Sequence, residues 1–114
     1  MKPQKQIRER DIEKYLVKRV KELGGEVRKV KWIGRSGAPD RLVMLPMRRI
    51  EGYFTLKGLV PMRYERQPAI WVELKAPSVK PEAHQVREHK RMRDMGQRVE
   101  VIDSFEGVDK LLGV

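Results

Sequence analysis

The sequence predicts an α/β fold in which helices flank a mixed central β-sheet, with its elements in the order α-β-β-β-α-β-α. Three observations predict it. Ile12, Tyr15 or Leu16, Val20 and Leu23 recur at helical spacing before a Gly24-Gly25 stop. Residues 69–75 alternate as a strand requires, with Ile70, Val72 and Leu74 on one face and Trp71, Glu73 and Lys75 on the other. After Pro81 come a second helical pattern, a short apolar run and a further helix start.

In order, residues 6–23 form an amphipathic helix on which Glu9 and Glu13 flank Ile12 one turn apart. Residues 26–33 form a strand with Val30 and Trp32 on one face and Arg28, Lys29 and Lys31 interleaved. These cations either meet a phosphate backbone or blunt an edge strand. The loop Gly34-Arg35-Ser36-Gly37 is flexible enough to approach a phosphate, yet lacks the lysine and helix start of a P-loop. Pro39 then holds the chain rigid just ahead of Asp40, because proline fixes its own φ and keeps the preceding residue extended. Residues 41–45 are the second strand.

Residues 46–68 read as an extra hairpin or projecting loop punctuated by Gly52, Gly58 and Pro61. Tyr53, Phe54, Leu56, Leu59, Val60 and Tyr64 alternate there with Arg48, Arg49, Lys57, Arg63 and Arg66. Exposed, such aromatics grip a nucleic acid by stacking or form a dimer contact; otherwise Tyr53 and Phe54 cover the sheet. The central strand at 69–75 follows, then a helix from Pro81 to about Met95 with Gly96 as its stop. Gln85, His89 and Met92 share a helical face, read as also carrying Val86. His89 alone is most simply a half-buried structural histidine. Residues 98–102 are a short strand, and Asp103-Ser104-Phe105-Glu106 caps a last helix that packs Phe105, Val108, Leu111 and Leu112 on the sheet.

A chain of 114 residues is expected to be one domain over 1–114. Lys and Arg total 26 against 16 acids, a formal charge of +10 that suits a polyanionic partner, nucleic acid before any membrane surface. With no cysteine there is no disulfide, thiolate zinc site or cysteine nucleophile. The first five residues show no apolar signal core and no segment approaches a membrane span, so a cytoplasmic location is expected.

Two carboxylates and a lysine at strand ends can serve a divalent metal and an activated water. Gly37-Ala38-Pro39-Asp40-Arg41, Val72-Glu73-Leu74-Lys75, Gln85 with His89, and Gly96-Gln97-Arg98-Val99-Glu100-Val101 occur in this order over nearly the whole chain. In this the sequence resembles the PD-(D/E)XK nucleases of restriction-endonuclease-like fold, and within them the stand-alone VRR-NUC type of phages and bacteria.

The resemblance implies a catalytic set of Asp40, Glu73, Lys75 and Gln85. Mg²⁺ or Mn²⁺ would be held by Asp40, Glu73, the main-chain oxygen of Leu74 and a glutamate of the first helix, Glu9, with Glu13 a close competitor. Lys75 would orient the attacking water and offset charge on the phosphorane. Lys29, Lys31, Arg35 and Arg41 would contact nucleic acid, Lys29 and Arg35 foremost. The implied activity is a metal-dependent, structure-selective DNA endonuclease, resembling Holliday-junction resolvases and acting as a homodimer on branched DNA in a bacterial or phage-infected cell. The rival from another class is a DNA-binding module of the same fold with little or no catalysis, in which Glu73 and Lys75 are an ordinary surface ion pair.

Overall fold

The computed structural model describes residues 6–114; the stretch 1–5, read above as lacking an apolar signal core, lies outside the described residues. Helix α1 spans Glu9–Glu22. It starts three residues later than the apolar pattern suggests because the Asp11 carboxylate accepts the Arg8 backbone N–H at 2.8 Å, which caps the helix there. Ile12, Leu16 and Val20 are fully buried on its inner face.

Strands β1 (Glu26–Lys29), β2 (Arg41–Met44), β7 (Ile70–Leu74) and β8 (Arg98–Ile102) make the central sheet in the order β1-β2-β7-β8. β2 runs antiparallel to both its neighbours, β1 and β7; β7 and β8 are parallel and joined through helix α2 (Ala83–Asp94). Parallel neighbours need such a crossover. The last helix, α3 (Phe105–Leu112), begins at Ser104, whose hydroxyl accepts the Gly107 N–H at 2.9 Å. The mixed sheet and its element order are those expected.

The core lies on one face of this sheet. Ile12, Leu16 and Val20 of α1, Val43, Ile70, Val72, Leu74 and Ile102 of the sheet, and Val108 of α3 form one buried cluster. Tyr15 closes its edge, donating to Asp109 at 2.7 Å and meeting Phe105 edge-on at 5.0 Å. Met92 of α2 and Val99 of β8 are buried outside that cluster, and Arg93 of α2 donates twice to the Val99 carbonyl. The helices therefore sandwich the sheet, leaving its Trp71–Glu73 face toward α2.

Two further boundaries and one helix face differ from expectation. β1 ends at Lys29 instead of residue 33: after Val30 donates to the Asp40 carbonyl the chain bends away, and Ile33 is exposed. α2 starts at Ala83, two residues after Pro81, because the Gln85 side chain accepts the Glu82 N–H at 2.8 Å and sets the cap at Glu82. Val86 is exposed, so the inner stripe of α2 is Gln85, Glu88, His89 and Met92.

The 46–68 segment is a long interrupted hairpin. Its base pairs β3 (Arg48–Ile50) with β6 (Arg63–Glu65), and its tip pairs β4 (Tyr53–Thr55) with β5 (Gly58–Val60). Tyr53, Phe54, Leu56, Leu59 and Tyr64 are all exposed, so Tyr53 and Phe54 do not cover the sheet. The arm stretches the molecule to 59 × 46 × 21 Å with a radius of gyration of 17.6 Å. A compact chain of this length has roughly 13 Å.

Candidate active site

The β2–β7 register pairs Arg41 with Val72 and Leu42 with Trp71. Extended by one place beyond the start of β2, this register sets Asp40 opposite Glu73, and residues directly opposite in an antiparallel pair carry neighbouring side chains. Strand alternation then puts Asp40, Leu42, Trp71 and Glu73 on the α2 side, and Arg41 and Val72 on the core side. The two carboxylates come together because of register, across 32 residues of intervening chain.

Asp40 is held by its backbone and neighbours. Its carbonyl accepts the Val30 N–H at 2.9 Å, and the Pro39 carbonyl before it accepts Trp32 Nε1 at 2.8 Å. The loop ahead is pressed against α2. Gly37 has φ +84°, and a Cβ on it would stand 2.7 Å from the His84 carbonyl oxygen, so only glycine fits. Arg35 Nε donates to the buried Glu88 carboxylate at 2.9 Å, tying the same loop to the same helix.

Around Glu73 stand Gln85, whose Nε2 donates to Oε1 at 3.3 Å, and His89, whose Nε2 lies 3.6 Å away. Lys75 follows two residues along the same face and attracts the carboxylate, while Glu9 and Asp40 repel it. Glu13 is taken by Arg41 at 2.9 Å, which leaves Glu9 as the exposed α1 acid acting on Glu73. Leu74 is buried in β7 and pairs with Ile102, its side chain in the core cluster. Asp40, Glu73, Lys75, Gln85 and Glu9 thus converge on one end of the sheet.

The expected nucleic-acid contacts divide. Lys29 and Lys31 are exposed and make no ion pair among the described residues; Arg35 is half-exposed. Arg41 is not free for a phosphate. Only 7% exposed, it pairs with Glu13 and, at 2.9 Å, with Asp40. The physical reason is alternation: one residue after a site-facing Asp40, the strand turns Arg41 toward α1.

No family model matches the chain. It is 42% identical over 98 residues to "Putative nuclease p44" of Acyrthosiphon pisum secondary endosymbiont phage 1, a match covering 86% of this chain and 85% of that protein. A solved structure described as "VRR_NUC domain" superposes with a TM-score of 0.69 at 40% identity, over 92% of this chain and 94% of that one. The chain belongs to the VRR-NUC nuclease family.

In this VRR-NUC domain the electrostatics centre on Glu73. Burial pushes its carboxyl up from 4.5 to about 7; Lys75 opposes the shift, and Asp40 and Glu9 add to it. Burial, with Arg93 and Lys75, holds His89 below the usual imidazole range. Among the described residues no three acidic or imidazole side chains are close enough to enclose a cation alone. The donor set nevertheless fits Mg²⁺ or Mn²⁺. Such ions are held by one or two carboxylates and keep several waters, and a cation would offset both the burial that raises the Glu73 carboxyl and the smaller repulsion from Asp40 and Glu9.

Sequence reasoning overlooked Glu88. It is buried to 3% exposure, receiving Arg35 on one oxygen and Arg91 Nη1 on the other at 3.2 Å. Its signal was present: Gln85, Glu88, His89 and Met92 stand at i, i+3, i+4 and i+7, one face of a helix.

Proposed function

We propose that this VRR-NUC domain is a divalent-metal-dependent, structure-selective DNA endonuclease that acts as a homodimer on branched DNA in the manner of Holliday-junction resolvases. The observation that carries this reading is the Glu73 carboxyl, desolvated, repelled by Asp40 and Glu9, and faced by Lys75 and Gln85. A buried acid with perturbed titration beside a specific charge partner is a candidate for a chemical site. The cation would rest on Asp40, Glu73 and the Leu74 main-chain oxygen, with Glu9 at its margin. Bound there, it supplies Lewis-acid polarisation of the scissile phosphate and lowers the pKa of water.

This chain's own residues do the rest. Gln85 fixes the Glu73 carboxylate through Nε2 while its Oε1 is spent on the helix cap, so the amide has one orientation. Lys75 holds the attacking water in line with the phosphorus and offsets charge that builds on the phosphorane. Lys29, Lys31 and Arg35 place the DNA backbone, and an overall charge of +10 draws it in. Dimerisation is supported by the hairpin arm, whose exposed aromatic and aliphatic side chains are too many for an idle surface.

The test is cleavage of synthetic four-way junctions, flaps and plain duplex in Mg²⁺, Mn²⁺ or EDTA, with wild type beside Lys75→Ala. Metal-dependent cutting that falls at least a hundredfold in the variant is expected, with symmetric cuts across the junction. Tight binding without cleavage in any metal would leave a DNA-binding module in its place.

A further inference from the structure

Beside the carboxylates lies a cleft that the proposed chemistry does not use. It measures about 260 Å³ and is walled chiefly by Trp32, Trp71, Met92 and Met95. These are the only two tryptophans in the chain, and their rings stand 5.2 Å apart at 47°. Both indole N–H groups are already engaged, Trp32 with the Pro39 carbonyl and Trp71 with Gln97. What the cleft offers a ligand is therefore aromatic ring surface and polarisable thioether.

A core does not leave such a surface open without cost, and its position is informative. Trp71 and Glu73 share one face of β7, about 6.5 Å apart along the strand. Trp32 hangs from the carbonyl that precedes Asp40. At the rim Arg35 uses Nε on Glu88 and keeps its terminal nitrogens, on a side chain 47% exposed, for an anion. A surface of two mutually tilted indole rings, with a guanidinium at its rim and the candidate site next door, complements the chemistry of a nucleotide.

We propose that the Trp32–Trp71 cleft receives an unpaired nucleobase adjoining the phosphate to be cut, with Arg35 on its backbone. Stacking accepts any base, so the cleft selects unpaired structure and not sequence. Trp71 is a specificity residue, and Glu88 a positioning residue that acts through Arg35. This inference rests on the nuclease reading above.

The paired tryptophans make it directly measurable. Indole emission and affinity are followed in EDTA as wild-type protein meets a gapped duplex with three unpaired nucleotides, and the same duplex with abasic residues in the gap. Quenching by the natural gap only, with about tenfold weaker binding of the abasic one, is expected from the usual contribution of one stacked base. Trp71→Leu should bind both alike while keeping its circular dichroism. Equal quenching and equal affinity for the two duplexes in wild type would overturn the proposal. Should that equality accompany metal-dependent cleavage, the cleft inference alone fails; should no DNA bind at all, the nuclease reading fails with it.

Discussion

At the scale of the residue, Glu73 and His89 pull stability in opposite directions with pH. Folded Glu73 keeps a proton up to about 7 where the unfolded carboxyl, at 4.5, has released it. Its contribution thus favours folding at low pH and is lost as pH rises through that window. Folded His89 stays neutral where the unfolded imidazole, at 6.5, is protonated, so its contribution is lost as pH falls. The two oppose, so the wild-type profile should be shallower than that of a variant lacking either group. Glu73→Gln removes one side. Its stability should climb with pH through the imidazole range, and near pH 8 should exceed wild type by about 2 kcal/mol. Urea unfolding across pH checks both statements; a variant profile parallel to wild type would contradict them.

At the scale of the element, the loop before Asp40 and the hairpin arm make contrasting demands. Gly37 has a left-handed φ with backbone 2.7 Å from where a Cβ would sit, so Gly37→Ala must move the loop or α2. A loss of about 1–3 kcal/mol in stability is expected. Cleavage should fall by tenfold or more, since sub-ångström misplacement of Asp40 is amplified in catalysis. Circular dichroism melts and the junction assay measure the two effects. The arm behaves differently. Tyr53, Phe54, Leu56 and Leu59 are exposed at its tip and contribute nothing to the buried cluster. Replacing all four by serine should leave the circular dichroism of the folded domain unchanged, since none of them belongs to the buried cluster. Sedimentation checks the dimer proposed above: monomer is expected for this variant and dimer for the wild type.

At the scale of the whole molecule, the proposed function links stability to a cation, because an ion held by the gathered carboxylates binds only the folded domain. A site saturated hundredfold by Mg²⁺ adds about 2.7 kcal/mol to the folded state. Thermal melts should rise with Mg²⁺, fall back with EDTA, and stay unchanged in Glu73→Gln. The arm sets the other molecular property, shape. A radius of gyration of 17.6 Å should be visible in small-angle scattering of a monomeric arm variant. No described helix is long and apolar enough to cross a membrane.

What the sequence by itself determined was everything carried by local period and punctuation. The stripe of α1, the alternation of β7, the Ser104 cap and the turn-rich arm all follow from spacing of three to four residues or of two. So did the order of motifs that marks the VRR-NUC family. Tertiary structure alone decided which neighbours those residues have. Arg41 looked like a phosphate contact beside Asp40, but register turns it inward onto Glu13 and so leaves Glu9 as the α1 acid acting on Glu73. Glu88 was one acid in a basic helix until packing buried it between Arg35 and Arg91. Trp32 and Trp71, 39 residues apart in the chain, became one cleft only when β1, β2 and β7 aligned. Period is a property of adjacent residues; which charge is paired, buried or left for a ligand depends on chain segments that only folding brings together.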